Sequence, residues 1–112
     1  MNLNRALALE RVGGDEELLR EIAVLFLEDC PSLMTKIDQA VAANDAPNLE
    51  RAAHSLKGSV ANFGSDAAYQ AAFDLEQIGR FKNLEHVQEA HARLISVMRE
   101  VCPELEALSL EA

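Results

Sequence analysis

No run of β-branched residues occurs anywhere in this chain, and that absence most limits the folds open to it. Valine, isoleucine and threonine are scattered singly among Ala, Leu, Glu, Arg and Gln, which are strong helix formers. Strands therefore have little to be built from. Three prolines and five glycines are the main interruptions in 112 residues. The core must be aliphatic, because 49% of residues are apolar while there is no Trp, one Tyr and four Phe. A single domain over 1–112 is expected at this length, large enough to bury a core without disulfide or metal staples.

Apolar spacing divides the chain into helices. A short helix from Leu3 to about Val12 stops at Gly13-Gly14. Asp15 begins another, with Glu16 and Glu17 in a first turn whose dipole favours anions. Leu18, Leu19, Ile22, Leu25 and Phe26 mark its expected buried face. Pro31 suits the first turn of a third helix over roughly 31–44, started by Asp29 or Cys30; a kink within one longer helix is the alternative. A fourth spans roughly 47–63, with Gly64 where a left-handed cap belongs. Ser65 or Asp66 starts a fifth over 66–79, ending at Gly79. The last covers 84–101, with Val87, Leu94, Val97 or Met98, and Val101 inward, before Pro103 disrupts it or starts a final turn. Short connections between the last four predict an all-α, antiparallel up-down-up-down four-helix bundle. One or two additional N-terminal helices would pack at one end. Such a bundle closes on itself, so a monomer is expected.

The net charge of −9 argues against nucleic acid, whose phosphates need clustered Lys and Arg, and against an anionic membrane surface. No apolar stretch approaches the roughly 20 residues of a membrane span, and the N-terminus lacks the basic and apolar regions of a signal peptide. Cys30 and Cys102 lie far apart with no Cys-x-x-Cys spacing. They read as structural thiols of a reducing cytosol, so a cytoplasmic location is expected.

On the fourth helix Leu49, Ala52, Leu56, Val60 and Phe63 cluster on one side. At about 100° per residue, His54 points nearly opposite, with Glu50, Lys57, Gly58 and Ala61 within a turn of it. An exposed histidine or lysine is unremarkable alone, and Gly64 is explained as a helix cap. Gly58 is harder to explain, since glycine inside a helix costs about 1 kcal/mol against alanine. A smooth patch beside a histidine would let another surface approach closely. His54, His86 and His91 do not form a convincing metal site, because His86 and His91 are five apart rather than the three or four that share a helical face. No metal is expected on the chain.

The stretch Ala53-His54-Ser55-Leu56-Lys57-Gly58-Ser59-Val60-Ala61-Asn62-Phe63-Gly64 resembles the signature of histidine-containing phosphotransfer (HPt) domains, His-x-x-Lys-Gly with a second glycine six residues later. Gly13-Gly14-Asp15-Glu16-Glu17-Leu18-Leu19, Phe26-Leu27-Glu28-Asp29 and Leu75-Glu76 fit the same family in order and spacing. The resemblance implies that His54 accepts a phosphoryl group from a phospho-aspartate or a histidine kinase and passes it to a response-regulator receiver aspartate. It implies that Lys57 lies near the phosphate, that Glu76 hydrogen-bonds the other imidazole nitrogen, and that Gly64 aims the next helix. Gly58, Ala61 and Arg80 would belong to the docking surface for receiver domains and for a sensor or hybrid histidine kinase.

Neutral imidazole suits this work, with an unperturbed pKa of about 6.5. An acceptor on Nδ1 selects the tautomer with a free lone pair on Nε2. The chain has no Gly-x-x-x-x-Gly-Lys phosphate loop, no kinase motifs and no acidic cluster for Mg²⁺. It is thus expected to be a phosphocarrier rather than an enzyme, with no cofactor of its own and with Mg²⁺ on the partner receiver. The alternative is a helical scaffold that never carries phosphate.

Overall fold

The computed structural model describes residues 3–111. Helices α1 (Arg5–Arg11), α2 (Glu16–Ala42), α3 (Ala46–Val60), α4 (Asp66–Phe81) and α5 (Val87–Ser109) follow one another, with a 3-10 turn at Ala61–Phe63 after α3. Four starts are capped in the same way. The side chains of Asn4, Asp15, Asp45 and Ser65 accept from the amides of Leu7, Leu18, Asn48 and Ala68, filling donors the helix leaves unpaired.

Helix α2 packs on α3 and α5, and α4 packs on the same two, which closes an up-down-up-down ring. α1 lies across one end, against the 3-10 turn and α2. The core is aliphatic, as composition requires: Leu19, Ile37, Leu49, Leu56, Leu75, Leu94 and Leu105 are at most 1% exposed. Phe26 and Phe63 meet edge to face, 5.6 Å between centroids.

The expected helix over 31–44 is not separate. Residues 16–42 form one helix through Pro31, so a single additional N-terminal helix remains. Proline removes one amide donor and normally disfavours a helix interior. Here the buried face Leu19, Ala23, Phe26, Cys30, Ile37 continues across it, and Pro31 itself is exposed, on the side where water can serve the carbonyl left without a donor. That buried face also leaves Leu18 and Leu25 outside, 39% and 56% exposed, contrary to their expected burial. Helix α5 starts at Val87 rather than residue 84 and passes Pro103 to reach Ser109, burying Met98, Leu105 and Leu108.

Gly79 does not end its helix either. α4 runs on to Phe81 and stops at Lys82, which takes the left-handed cap at φ 55°. Gly79 is instead a point of close approach between α4 and α3: an added Cβ would lie 2.6 Å from the amide nitrogen of Glu50 and 2.7 Å from the carbonyl of Ala46. Cys30 on α2 is buried and Cys102 on α5 half-buried, both as free thiols. Among the described residues no helix is long and apolar enough to cross a membrane.

Candidate functional site

His54 lies in the middle of α3 with its side chain 67% exposed. The core face of α3 is formed by Leu49, Ala52, Ala53, Leu56 and Val60, so the helical period carries His54 outward to the α3–α4 seam. Glu76 of α4 stands across that seam and is 8% exposed, one of two buried polar residues among those described. Its Oε2 is 2.5 Å from His54 Nδ1.

A carboxylate this buried needs compensation. Lys57, one turn after His54, places its ammonium 2.6 Å from Glu76 Oε1. Burial is the largest influence on Glu76 and pushes its pKa up, but hydrogen bonds and charge from Lys57 and His54 outweigh it and hold the carboxyl below the ordinary value. The contact with Glu76 is also the main reason that the Lys57 pKa is raised. Glu76 is therefore ionised and acts only as an acceptor. His54 Nδ1 must then donate to it, and the lone pair of the neutral ring resides on Nε2. Among the described residues Nε2 has no hydrogen-bond partner.

His54, Lys57 and Glu76 are thus brought together. Gly58 is exposed, with nothing within 4 Å of where a Cβ would be, so no packing inside the chain calls for glycine there. Ala61 falls in the 3-10 turn and is half-buried. Arg80 is exposed one turn beyond Glu76, and its guanidinium lies 5.9 Å from the Phe81 ring rather than in the His54–Lys57–Glu76 group. Gly64 has φ 67°, the left-handed conformation in which it was expected; its cap position also abuts Asn4, whose Cβ would be 2.8 Å from a Cβ at Gly64.

Two neighbours of the site escape a reading of the motif. The Lys57 ammonium lies 5.5 Å from the Phe73 ring centroid and 5.8 Å from that of Tyr69. Their spacing carries a trace of this, since Tyr69, Phe73 and Glu76 recur at four and three residues along one face of α4. The other two histidines are engaged elsewhere: His91 Nε2 is 2.6 Å from Asp38 Oδ1, and His86 pairs loosely with Glu89. Among the described residues no group of three His, Cys, Asp or Glu side chains is arranged to hold a metal.

The Hpt domain family matches residues 21–109. The sensor protein TorS of Escherichia coli (strain K12) is 33% identical over 82 residues, an alignment covering 69% of this chain and 9% of that protein. The fold is also that of two solved structures at 20% identity. The HPt domain of a sensor hybrid histidine kinase from Shewanella superposes with a TM-score of 0.87, covering 99% of this chain and 97% of that one. Histidine-containing phosphotransfer protein B from Pseudomonas aeruginosa PAO1 gives 0.85, covering 95% and 92%.

Proposed function

The chain belongs to the Hpt domain family, the phosphotransfer modules of two-component phosphorelays, and from that premise we propose that His54 is its phosphoacceptor. Domains of this family work with histidine kinases and receiver domains and are not kinases themselves. The single observation that carries the assignment is the His54–Glu76 contact, because it commits Nδ1 and leaves Nε2 as the exposed nucleophile.

The Nε2 lone pair attacks the phosphorus of a receiver acyl phosphate. A P–N bond forms, the P–O bond to the aspartate breaks, and the carboxylate leaves with the electron pair. The ring becomes positive, still bearing the Nδ1 proton, and Glu76 stabilises that charge. Transfer onward to a second receiver aspartate reverses these steps. Lys57 contributes mainly by keeping Glu76 charged and adds positive potential beside the incoming phosphoryl oxygens. Gly58 and Ala61 leave a low surface over which a receiver approaches, with Arg80 at its edge. Mg²⁺ belongs to the receiver, where it would supply charge neutralisation for in-line transfer. The chain is then a carrier rather than an enzyme, placed in the cytoplasm with its partners.

Incubation with a phosphorylated receiver tests this directly. The wild type should acquire an acid-labile, alkali-stable phosphate that maps to His54, and His54→Gln should abolish it while helicity is kept. Labelling retained in that variant would overturn the assignment, and no labelling of the wild type would favour a scaffold.

A further inference from the structure

We infer that Phe73 and Tyr69 are positioning residues for this site, acting on His54 through Lys57 and Glu76; the inference rests on His54 as phosphoacceptor. Lysine ammonium groups normally sit in water, with only their stems covered. The Lys57 side chain is only 17% exposed, and its ammonium faces two aromatic rings at 5.5 and 5.8 Å, inside the roughly 6 Å range of cation–π attraction.

Core packing does not account for the two rings. Phe73 and Tyr69 stand outside the hydrophobic cluster that fills the bundle, and Tyr69 is 40% exposed. What both touch is the lysine. The rings exclude water from the ammonium and attract it through their π faces, which fixes a long and otherwise mobile side chain at Glu76 Oε1. That oxygen is buried, and among the described residues no hydrogen bond and no ion pair other than that of Lys57 reaches it. The carboxylate is thereby turned so that Oε2 meets His54 Nδ1, and the chain of contacts runs from the rings to the lysine, the carboxylate and the imidazole. Removing the rings loosens the lysine, lets Glu76 rotate, and returns part of the His54 population to the tautomer protonated on Nε2, which cannot attack.

The test pairs a transfer rate with ¹⁵N spectra of the His54 ring. Tyr69→Leu combined with Phe73→Leu keeps apolar side chains and helix propensity. It should lower the rate of transfer from a phosphorylated receiver about five-fold, the scale of a single cation–π contact. The ¹⁵N shifts should move toward the Nε2–H tautomer, with helicity unchanged. The conservative exchange Tyr69→Phe keeps the ring face and should rescue both readings relative to Tyr69→Leu. A double variant with wild-type rate and wild-type His54 shifts overturns the inference. Should the double variant lose helicity, Phe73→Leu and Tyr69→Leu singly decide it by the same two readings. Failure of the wild type to be labelled at His54 would instead remove the phosphoacceptor reading, while the ring spectra still report whether the aromatics position the imidazole.

Discussion

The backbone of Glu50 lies so near Gly79 that a methyl group on Gly79 would stand 2.6 Å from the Glu50 amide nitrogen. Glu50 precedes His54 by one turn of α3, and Gly79 follows Glu76 by one turn of α4. This close approach between the two helices thus lies one turn from the contact that orients the imidazole. Gly79→Ala meets backbone atoms that cannot rotate away, so overpacking of about 1–3 kcal/mol should exceed the roughly 1 kcal/mol that alanine gains in helix propensity. We expect a lower thermal midpoint together with slower phosphoryl transfer. A variant as stable and as fast as wild type would show that the helices can separate without disturbing the site.

Gly58 should behave in the opposite way. With open space around it, Gly58→Ala should stabilise the fold by up to about 1 kcal/mol, raising the midpoint by a few degrees. A bulky residue there, such as Leu, should keep the helix but weaken receiver binding, as titration calorimetry against a receiver domain would detect.

Removing the acceptor of His54 Nδ1 should affect chemistry more than folding. Glu76→Ala should slow transfer by roughly ten-fold or more, because the charge that develops on the ring loses its buried counter-ion. Rapid-quench rates from a phosphorylated receiver give the measurement. Equal rates would return Glu76 to a structural role.

Stability should fall away on both sides of neutrality. Glu76 is held below its ordinary pKa although burial, the largest influence, opposes the shift. Its stabilisation is present above the unfolded carboxyl value and is lost as pH falls through the folded one. The Lys57 pKa is raised, chiefly by Glu76, so its contribution is present below the unfolded lysine value and is lost as pH rises through the folded one. Thermal midpoints measured across pH should show both limbs, and Glu76→Gln should flatten them.

The two cysteines should differ in reactivity. The neighbouring Cys30 thiol lowers the Cys102 pKa against the opposing effect of burial. The Cys30 pKa is itself raised, by its interaction with Cys102 and by burial. Thiolates are the nucleophiles, so iodoacetamide at neutral pH should modify Cys102 first, as peptide mapping would reveal.

The bundle was legible in the chain because helical periodicity reports a buried face wherever that face is unbroken, as at Leu49, Leu56 and Val60. Periodicity fails where a local rule meets a tertiary contact. Pro31 has the chemistry of a helix start, yet the surface packed against Cys30 and Ile37 carries α2 straight through it. Gly79 has the chemistry of a helix stop, but its missing side chain serves the neighbouring helix. Of the site, the motif around His54 names the imidazole and the lysine. The destination of the Lys57 ammonium depends on which side chains α4 brings across the seam, a distance between helices that spacing along one helix cannot encode. For that reason Tyr69 and Phe73 left only the faint trace of their spacing with Glu76.

Arg5 reaches Glu111, its guanidinium nitrogen 3.0 Å from the carboxylate, and the amide of Asn4 donates to the carbonyl of Phe63. The beginning and the end of the described chain therefore meet at one pole of a body 44 Å long. His54 lies nine residues back along α3 from Phe63, roughly 13 Å at 1.5 Å per residue. A tether fastened at that pole, on either side of the domain, would hold the module like a clapper on a cord, with the imidazole on its swinging flank.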